Sequence, residues 1–261
     1  MGDAQALVLQ IDENVKGGSE VKVHATFTSP LSGEVEEDQL TIRIADNTIP
    51  GKAVPFKEVT SKIRYTTELA NEKGEAFLVH LLGINDKKEI ITINEMWAGE
   101  NIGDVMYSGD FELGVQKIDS DTVYLQPYPI RNYDYNQTMD LAFKVGTQSI
   151  GQPDLLFLSE IEETIHRRAD LFYMHGNTLK IAEEYGYYLR PKTIGHNLIQ
   201  SVSYVRNEEL GYFFVTTEFD PETGTFENKG RKFFVGDKLY DQGVEEVKKW
   251  QADPGYYVKT W

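Results

Sequence analysis

The chain has 261 residues, with 26 Lys plus Arg against 42 Asp plus Glu and a formal net charge of −16. Phosphate backbones repel such a chain, and no run of Lys or Arg offsets the excess, so nucleic acid is not an expected partner. It has no cysteine, which excludes disulfides, thiolate metal sites and cysteine nucleophiles, and a chain of this length buries roughly 70–75% of its unfolded surface without such staples.

The opening MGDAQALVLQIDENV has no basic leader, and its apolar run ends at Ile11, too short for a signal peptide. No window reaches the length of a membrane span. These features predict a protein made in the cytoplasm without a signal peptide and without membrane insertion. From Ala6 to about Glu100 the pattern is one of short strands. Val21, Val23, Ala25 and Phe27 alternate with Lys22, His24 and Thr26; Leu40, Ile42 and Ile44 repeat the alternation, and Ala76–Leu82 and Glu89–Ile93 add further strands. Pro30, Gly33, Pro50, Gly51 and Pro55 mark the connections. His24 and His80 fall on polar positions and are expected at the surface. Strands at this spacing, with no helices between them, predict a two-sheet antiparallel sandwich.

The segment VKVHATFT at 21–28, the loop SPLSGEVEEDQ, the strand LTIRIA and the later TTELANEKGEAFLVHLLG together resemble the bacterial immunoglobulin-like domains of the invasin and intimin type. In that family a V-x-A-x-V-T strand precedes a loop, and a T-D-x-x-G-x-A turn leads into the last strand. Thr67, Asn71, Gly74, Ala76 and Leu78 stand where that late motif places them, with Glu68-Leu69-Ala70 replacing the family's Asp after Thr. The resemblance covers roughly residues 6–97. It implies an immunoglobulin-like β-sandwich serving as a spacer or binding platform, as in adhesins and tailed-phage virions, and not an enzyme.

Met96–Asp104, MWAGENIGD, reads as a domain junction with Trp97 as an inter-domain plug, so the domains are expected at 1–98 and 99–261. Beyond it, Phe111–Ile118 and Thr122–Leu125 predict a hairpin turned at Asp119-Ser120-Asp121. The calcium-loop pattern fails there because Val123 occupies the next ligand position. The stretch PYPIRNYDYNQT follows. Tyr128, Tyr133 and Tyr135 with Arg131 and Asp134 combine aromatic faces and planar hydrogen-bonding groups, the chemistry that holds a sugar; the competing reading is that the rings pack on neighbouring strands or on another subunit.

From Asp154 to Arg190 a helical period predicts a helical pair near 159–186. Ser159 with Glu162 forms a capping-box pattern, Ile161, Ile165, Ala169 and Phe172 share a face, and Gly176 stops the first helix before Asn177 caps the second. Leu198–Arg206, Gly211–Phe219 and Arg231–Val235 predict a three-stranded meander turned in part at Asp220-Pro221-Glu222-Thr223-Gly224. A last helix is expected near 243–251, with Val244, Val247 and Trp250 on one side. Chain ends are usually polar and frayed, whereas this one is DPGYYVKTW, so Tyr256, Tyr257 and Trp261 are expected to form an interface docked either on their own domain or on a neighbour.

No G-x-S-x-G, phosphate loop or G-x-G-x-x-G is present. Glu163 and His166 form one E-x-x-H, and a di-iron helical bundle needs a second copy that the chain lacks. No catalytic residue, metal or cofactor is therefore expected. The fold class expected is mainly β with an α+β C-terminal part: an immunoglobulin-like sandwich followed by an antiparallel sheet packed with a helical pair. The function expected is that of a non-enzymatic structural protein with protein partners, as a homo-oligomer or larger assembly, such as a head, neck or tail accessory component of a tailed-phage virion. The alternatives are a surface glycan-binding or adhesion module, with carbohydrate held at the Tyr128–Tyr135 loop, and a hydrolase using paired carboxylates.

Overall fold

The computed structural model describes residues 20–28, 33, 35–43, 48–93, 101–146, 151–163, 166–206 and 209–261. The chain is mainly β, with its strands in antiparallel sheets and a small helical part. It divides into two compact units, residues 1–48 and 49–261. Trp97 lies outside the described residues.

In the first unit, β1 (Glu20–Thr28) and β2 (Val35–Arg43) pair antiparallel, with Val23 opposite Leu40 and Lys22 opposite Thr41. This matches the alternation read from both segments.

The second unit begins with β3 (Lys52–Pro55), a one-turn helix α1 (Phe56–Val59) and a short 3-10 turn, then β4 (Ile63–Ala70), β5 (Ala76–Gly83) and β6 (Lys87–Ile90). The 13-residue strand β7 (Val105–Lys117) follows, with β8 (Thr122–Leu125) and β9 (Ile130–Asn136). One sheet runs in the order β3-β8-β7-β5-β4, and β6 and β9 flank the first half of β7. The β7–β8 hairpin is the one expected, with Asp119 at φ +64° in its turn. The domain boundary expected at 98/99 is not where the chain divides. β5 and β7 lie on either side of it and pair along seven residues from Phe77↔Lys117 to Gly83↔Phe111.

The next sheet contains β10 (Ala142–Val145), β11 (Leu155–Glu163), β12 (His166–His175), β13 (Thr178–Ile181) and β14 (Tyr185–Tyr187). The helical pair expected over 159–186 is thus a set of strands. Ser159 is no helix cap: it sits in mid-strand, fully buried, its hydroxyl accepting a hydrogen bond from the Tyr187 hydroxyl at 2.7 Å. Gly176 and Asn177 turn a tight hairpin between His175 and Thr178, and Glu163 and His166 are cross-strand partners rather than neighbours on a helix.

A third sheet is the meander β15 (Leu189–Gly195), β16 (Leu198–Arg206), β17 (Leu210–Asp220) and β18 (Thr225–Val235). Asp220 closes the β17–β18 turn by accepting from the Glu222 amide and the Thr223 hydroxyl. The final helix α2 (Asp237–Ala252) is longer than expected and buries Gly243, Val247 and Trp250.

The three sheets of the second unit form layers, visible in how alternate residues divide between cores. Leu156, Leu158, Phe172 and Met174 face the first sheet's Val79, Phe111 and Tyr133. Leu155, Phe157, Leu171 and Tyr173 point the other way, onto Ile199 and Phe219 of the third sheet. The opposite face of that third sheet buries Val202, Phe214 and Phe234 against α2 and Val258. The middle sheet is therefore apolar on both faces, which accounts for the continuous runs LLFL and LFYM.

The first sheet's outer face is covered by Val59 and Phe56 of α1 over Leu82 and Val123. His80 lies on that face and, contrary to the surface position expected, is 2% exposed. Its Nδ1 is 2.8 Å from the Thr66 hydroxyl and its Nε2 2.8 Å from Gln116 Oε1.

Candidate functional site

The last nine residues are an extended segment laid across the outer face of the β15–β18 sheet. Its residues alternate as a strand would. Tyr256 is half-buried, Val258 is 6% exposed and Thr260 is half-buried, while Tyr257, Lys259 and Trp261 face out. Among the described residues no strand pairs with Val258; the side-chain carboxamide of Gln200 takes that role. Val258 N–H donates to Gln200 Oε1 at 2.9 Å, and Gln200 Nε2 donates to the Val258 carbonyl at 2.7 Å. Gln200 is fully buried, and its Nε2 also reaches the Thr216 hydroxyl at 3.0 Å, which in turn accepts from Thr260 at 2.8 Å. Gly230, opposite Thr216 on β18, lets the segment approach: a Cβ there would stand well inside van der Waals contact of the Thr260 carbonyl.

The approach to this segment is also fixed. Lys192 Nζ donates to the carbonyls of Trp250 at 2.9 Å and Asp253 at 2.8 Å and lies 4.5 Å from the Trp250 ring centroid. The Tyr256 hydroxyl donates to the Glu246 carboxylate on α2. Burial alone would raise Glu246, but the Tyr256 hydroxyl and Lys249 outweigh it and hold the carboxyl below its usual range.

The consequence lies on the outer side. Tyr257 and Trp261 are 45% and 56% exposed, with ring centroids 6.5 Å apart and planes within 9°. Because Val258 between them is locked by Gln200, the two rings are held on a rigid base. Large aromatic side chains presented this way bind other surfaces at low entropic cost. On the other face of the same sheet, Phe213 and Phe233 form a stacked cross-strand pair at 5.5 Å, with Phe233 52% exposed.

The docked C-terminus expected from the sequence is thus present, with a division of roles: Tyr256 is part of the docking, and Tyr257 and Trp261 are left outward. The missed participants are Gln200, Thr216 and Gly230. A lone buried Gln in an apolar strand was the available signal.

The Tyr128–Tyr135 loop does not form the sugar platform considered above. Tyr133 and Tyr135 are each 3% exposed, on the inner face of β9. Tyr133 packs edge-on against Phe111 at 5.7 Å and donates its hydroxyl to the Ser159 carbonyl at 3.2 Å. Burial pushes the Tyr133 phenol well above its ordinary value and Tyr135 up to about 12. Arg131 points outward and is engaged by Asp110 at 2.7 Å, which holds the Asp110 carboxyl below its usual range. Asp134 is exposed on the face away from the two tyrosines, and Tyr128 is half-buried before β9 begins.

For the carboxylate reading, one group stands out. Glu160 is raised, chiefly by burial, with Arg168 opposing and Asp170 and Asp134 adding to the rise. Arg168 also meets Glu162 at 3.1 Å and Glu184 at 3.6 Å, so these side chains are engaged with one another in an ion-pair network. No described helix is long and apolar enough to cross a membrane. Comparison with protein-family models, curated proteins and solved structures finds no match.

Proposed function

We propose that the chain is a non-enzymatic structural protein that assembles through its C-terminal segment, as a homo-oligomer or within a larger particle. The observation that carries this reading is the Tyr257–Trp261 pair, exposed on one side of a segment whose other side is locked by Gln200. A site for a small substrate would be concave, whereas these rings stand proud of a sheet face.

Within this reading, the role is that of an accessory component of a tailed-phage head, neck or tail. What supports it is the resemblance of residues 6–97 to immunoglobulin-like modules and the excess of acidic residues. Assembly in the cytoplasm and residence in the virion follow from it. Light scattering after size exclusion, over a range of concentrations, tests the assembly reading. A defined multimer supports it, and a monomer at every concentration that also ignores particle proteins overturns it.

A second reading, a surface glycan-binding or adhesion module, now rests on the same two rings, since sugars stack on aromatic faces. A glycan array separates the two: sugar binding abolished by Trp261→Ala in a protein that stays monomeric would favour adhesion.

A further inference from the structure

We propose that the cleft between β10, β14 and the start of β15 is a binding site for a small organic carboxylate with an apolar body. The cleft has a volume of about 330 Å³, within the range of small-molecule sites. Its apolar wall is Phe143, Tyr187 and Leu189, and its polar groups include two guanidiniums, Arg167 and Arg190, with the carboxylate of Asp140.

Both guanidiniums are held in place by groups that leave part of each fork open. Arg190 lies 4.0 Å from the Phe143 ring centroid, and its Nη2 donates to the Asp140 carboxylate at 2.6 Å and carbonyl at 3.1 Å. Arg167 donates through Nη1 to the Tyr188 carbonyl at 2.6 Å. Each guanidinium has five N–H donors, and these hydrogen bonds engage a single nitrogen of each.

The charge balance points to a monoanion. Arg168, next along β12, is paired with Glu160, Glu162 and Glu184, whereas Arg167 makes no ion pair among the described residues. Two positive groups therefore face one carboxylate, in a chain whose formal net charge is −16. A half-buried guanidinium without a counter-ion is costly in an acidic protein that has carboxylates to spare. An incoming carboxylate supplies the missing charge in the planar, two-oxygen geometry that a guanidinium fork accepts best. Its apolar body then lies against Leu189, which is half-buried at the cleft. Neither Tyr257 nor Trp261 lines the cleft.

The test is an NMR titration of the full chain with benzoate, with neutral benzamide and inorganic phosphate as comparison probes. Benzoate is expected to bind with a Kd of about 1 mM or tighter, shifting the amides of Phe143, Tyr188 and Leu189, while benzamide and phosphate bind more weakly. Arg167→Gln and Arg190→Gln should each weaken benzoate by about tenfold or more, and Arg167→Lys, which keeps the charge and a donor to Tyr188, should retain part of the affinity. Arg190→Gln leaves the Arg167 anchor untouched and decides the matter if Arg167→Gln does not fold. Absence of benzoate binding, binding unchanged in Arg190→Gln, or tighter binding of benzamide or phosphate would each overturn the proposal.

Discussion

The carboxamide of Gln200 forms both hydrogen bonds that a neighbouring strand would form with Val258, at 2.9 and 2.7 Å. A side chain thus extends a sheet across its face rather than along its edge. The pairing fixes the orientation of Tyr257 and Trp261 on either side.

Replacing Gln200 by Leu leaves the buried N–H and C=O of Val258 without partners. The expected cost is about 3 kcal/mol, since an unsatisfied buried polar group costs about 1–3 kcal/mol. Gly230→Ala should lift the same segment by steric contact with the Thr260 carbonyl. Hydrogen exchange at the Val258 amide reads both: protection falls sharply in either variant, while protection of the middle-sheet strands is retained.

The layered arrangement predicts a contrast between two phenylalanines. Phe157 is fully buried between sheets, stacked on Phe143 at 5.0 Å and edge-on to Tyr185 at 5.8 Å. Phe157→Ala should cost about 3–5 kcal/mol in chemical denaturation. Phe233→Ala, at a 52% exposed site, should cost about 0.5 kcal/mol or less. Similar costs at the two sites would contradict the placement of the middle sheet.

Tyr133→Ala should lower stability by about 3 kcal/mol, because the ring fills the core between the first two sheets. Tyr133→Phe, which removes only the hydroxyl donated to Ser159, should cost about 1 kcal/mol. A Tyr133→Ala protein of undiminished stability would mean that the ring is not core.

Burial pushes the His80 imidazole below its ordinary value of 6.5, so the unfolded chain holds the proton more tightly than the folded one. The His80 contribution to stability is complete above that ordinary value and is lost as the pH falls through the lowered folded value. Denaturation midpoints between pH 7 and pH 5 should therefore fall more steeply for the native chain than for His80→Gln. Equal slopes would show that His80 does not carry this dependence.

Several elements were legible because local chemistry decides them. The β7–β8 hairpin and the β17–β18 turn rest on Asp and Gly turn residues, and α2 on the spacing of Val247 and Trp250. The middle sheet was not legible. With both faces buried, β11 and β12 lose the period-2 alternation, and the residual spacing of Ile161, Ala169 and Phe172 imitates a helix. The segment Y-D-Y at 133–135 carried its answer in plain alternation, with the tyrosines inward and Asp134 outward. The dense aromatic composition kept a ligand loop open beside the packed arrangement, and the packed arrangement is the one found for Tyr133 and Tyr135. The Gly-rich stretch before Asp104 resembles a linker, yet β5 and β7 pair across it, and pairing at that separation leaves no local mark. The same holds for the C-terminal site: Gln200 and Val258 are 58 positions apart.

The most direct measurement is multi-angle light scattering of the full chain beside the Tyr257→Ala/Trp261→Ala double variant, each at several concentrations. Both replaced side chains point outward, so the variant should melt as the parent does, which removes loss of fold as an explanation. Assembly through the C-terminal segment predicts a defined multimer for the parent and a monomer for the variant. A multimer that persists in the variant, or a parent that remains monomeric throughout and also ignores particle proteins, would contradict it.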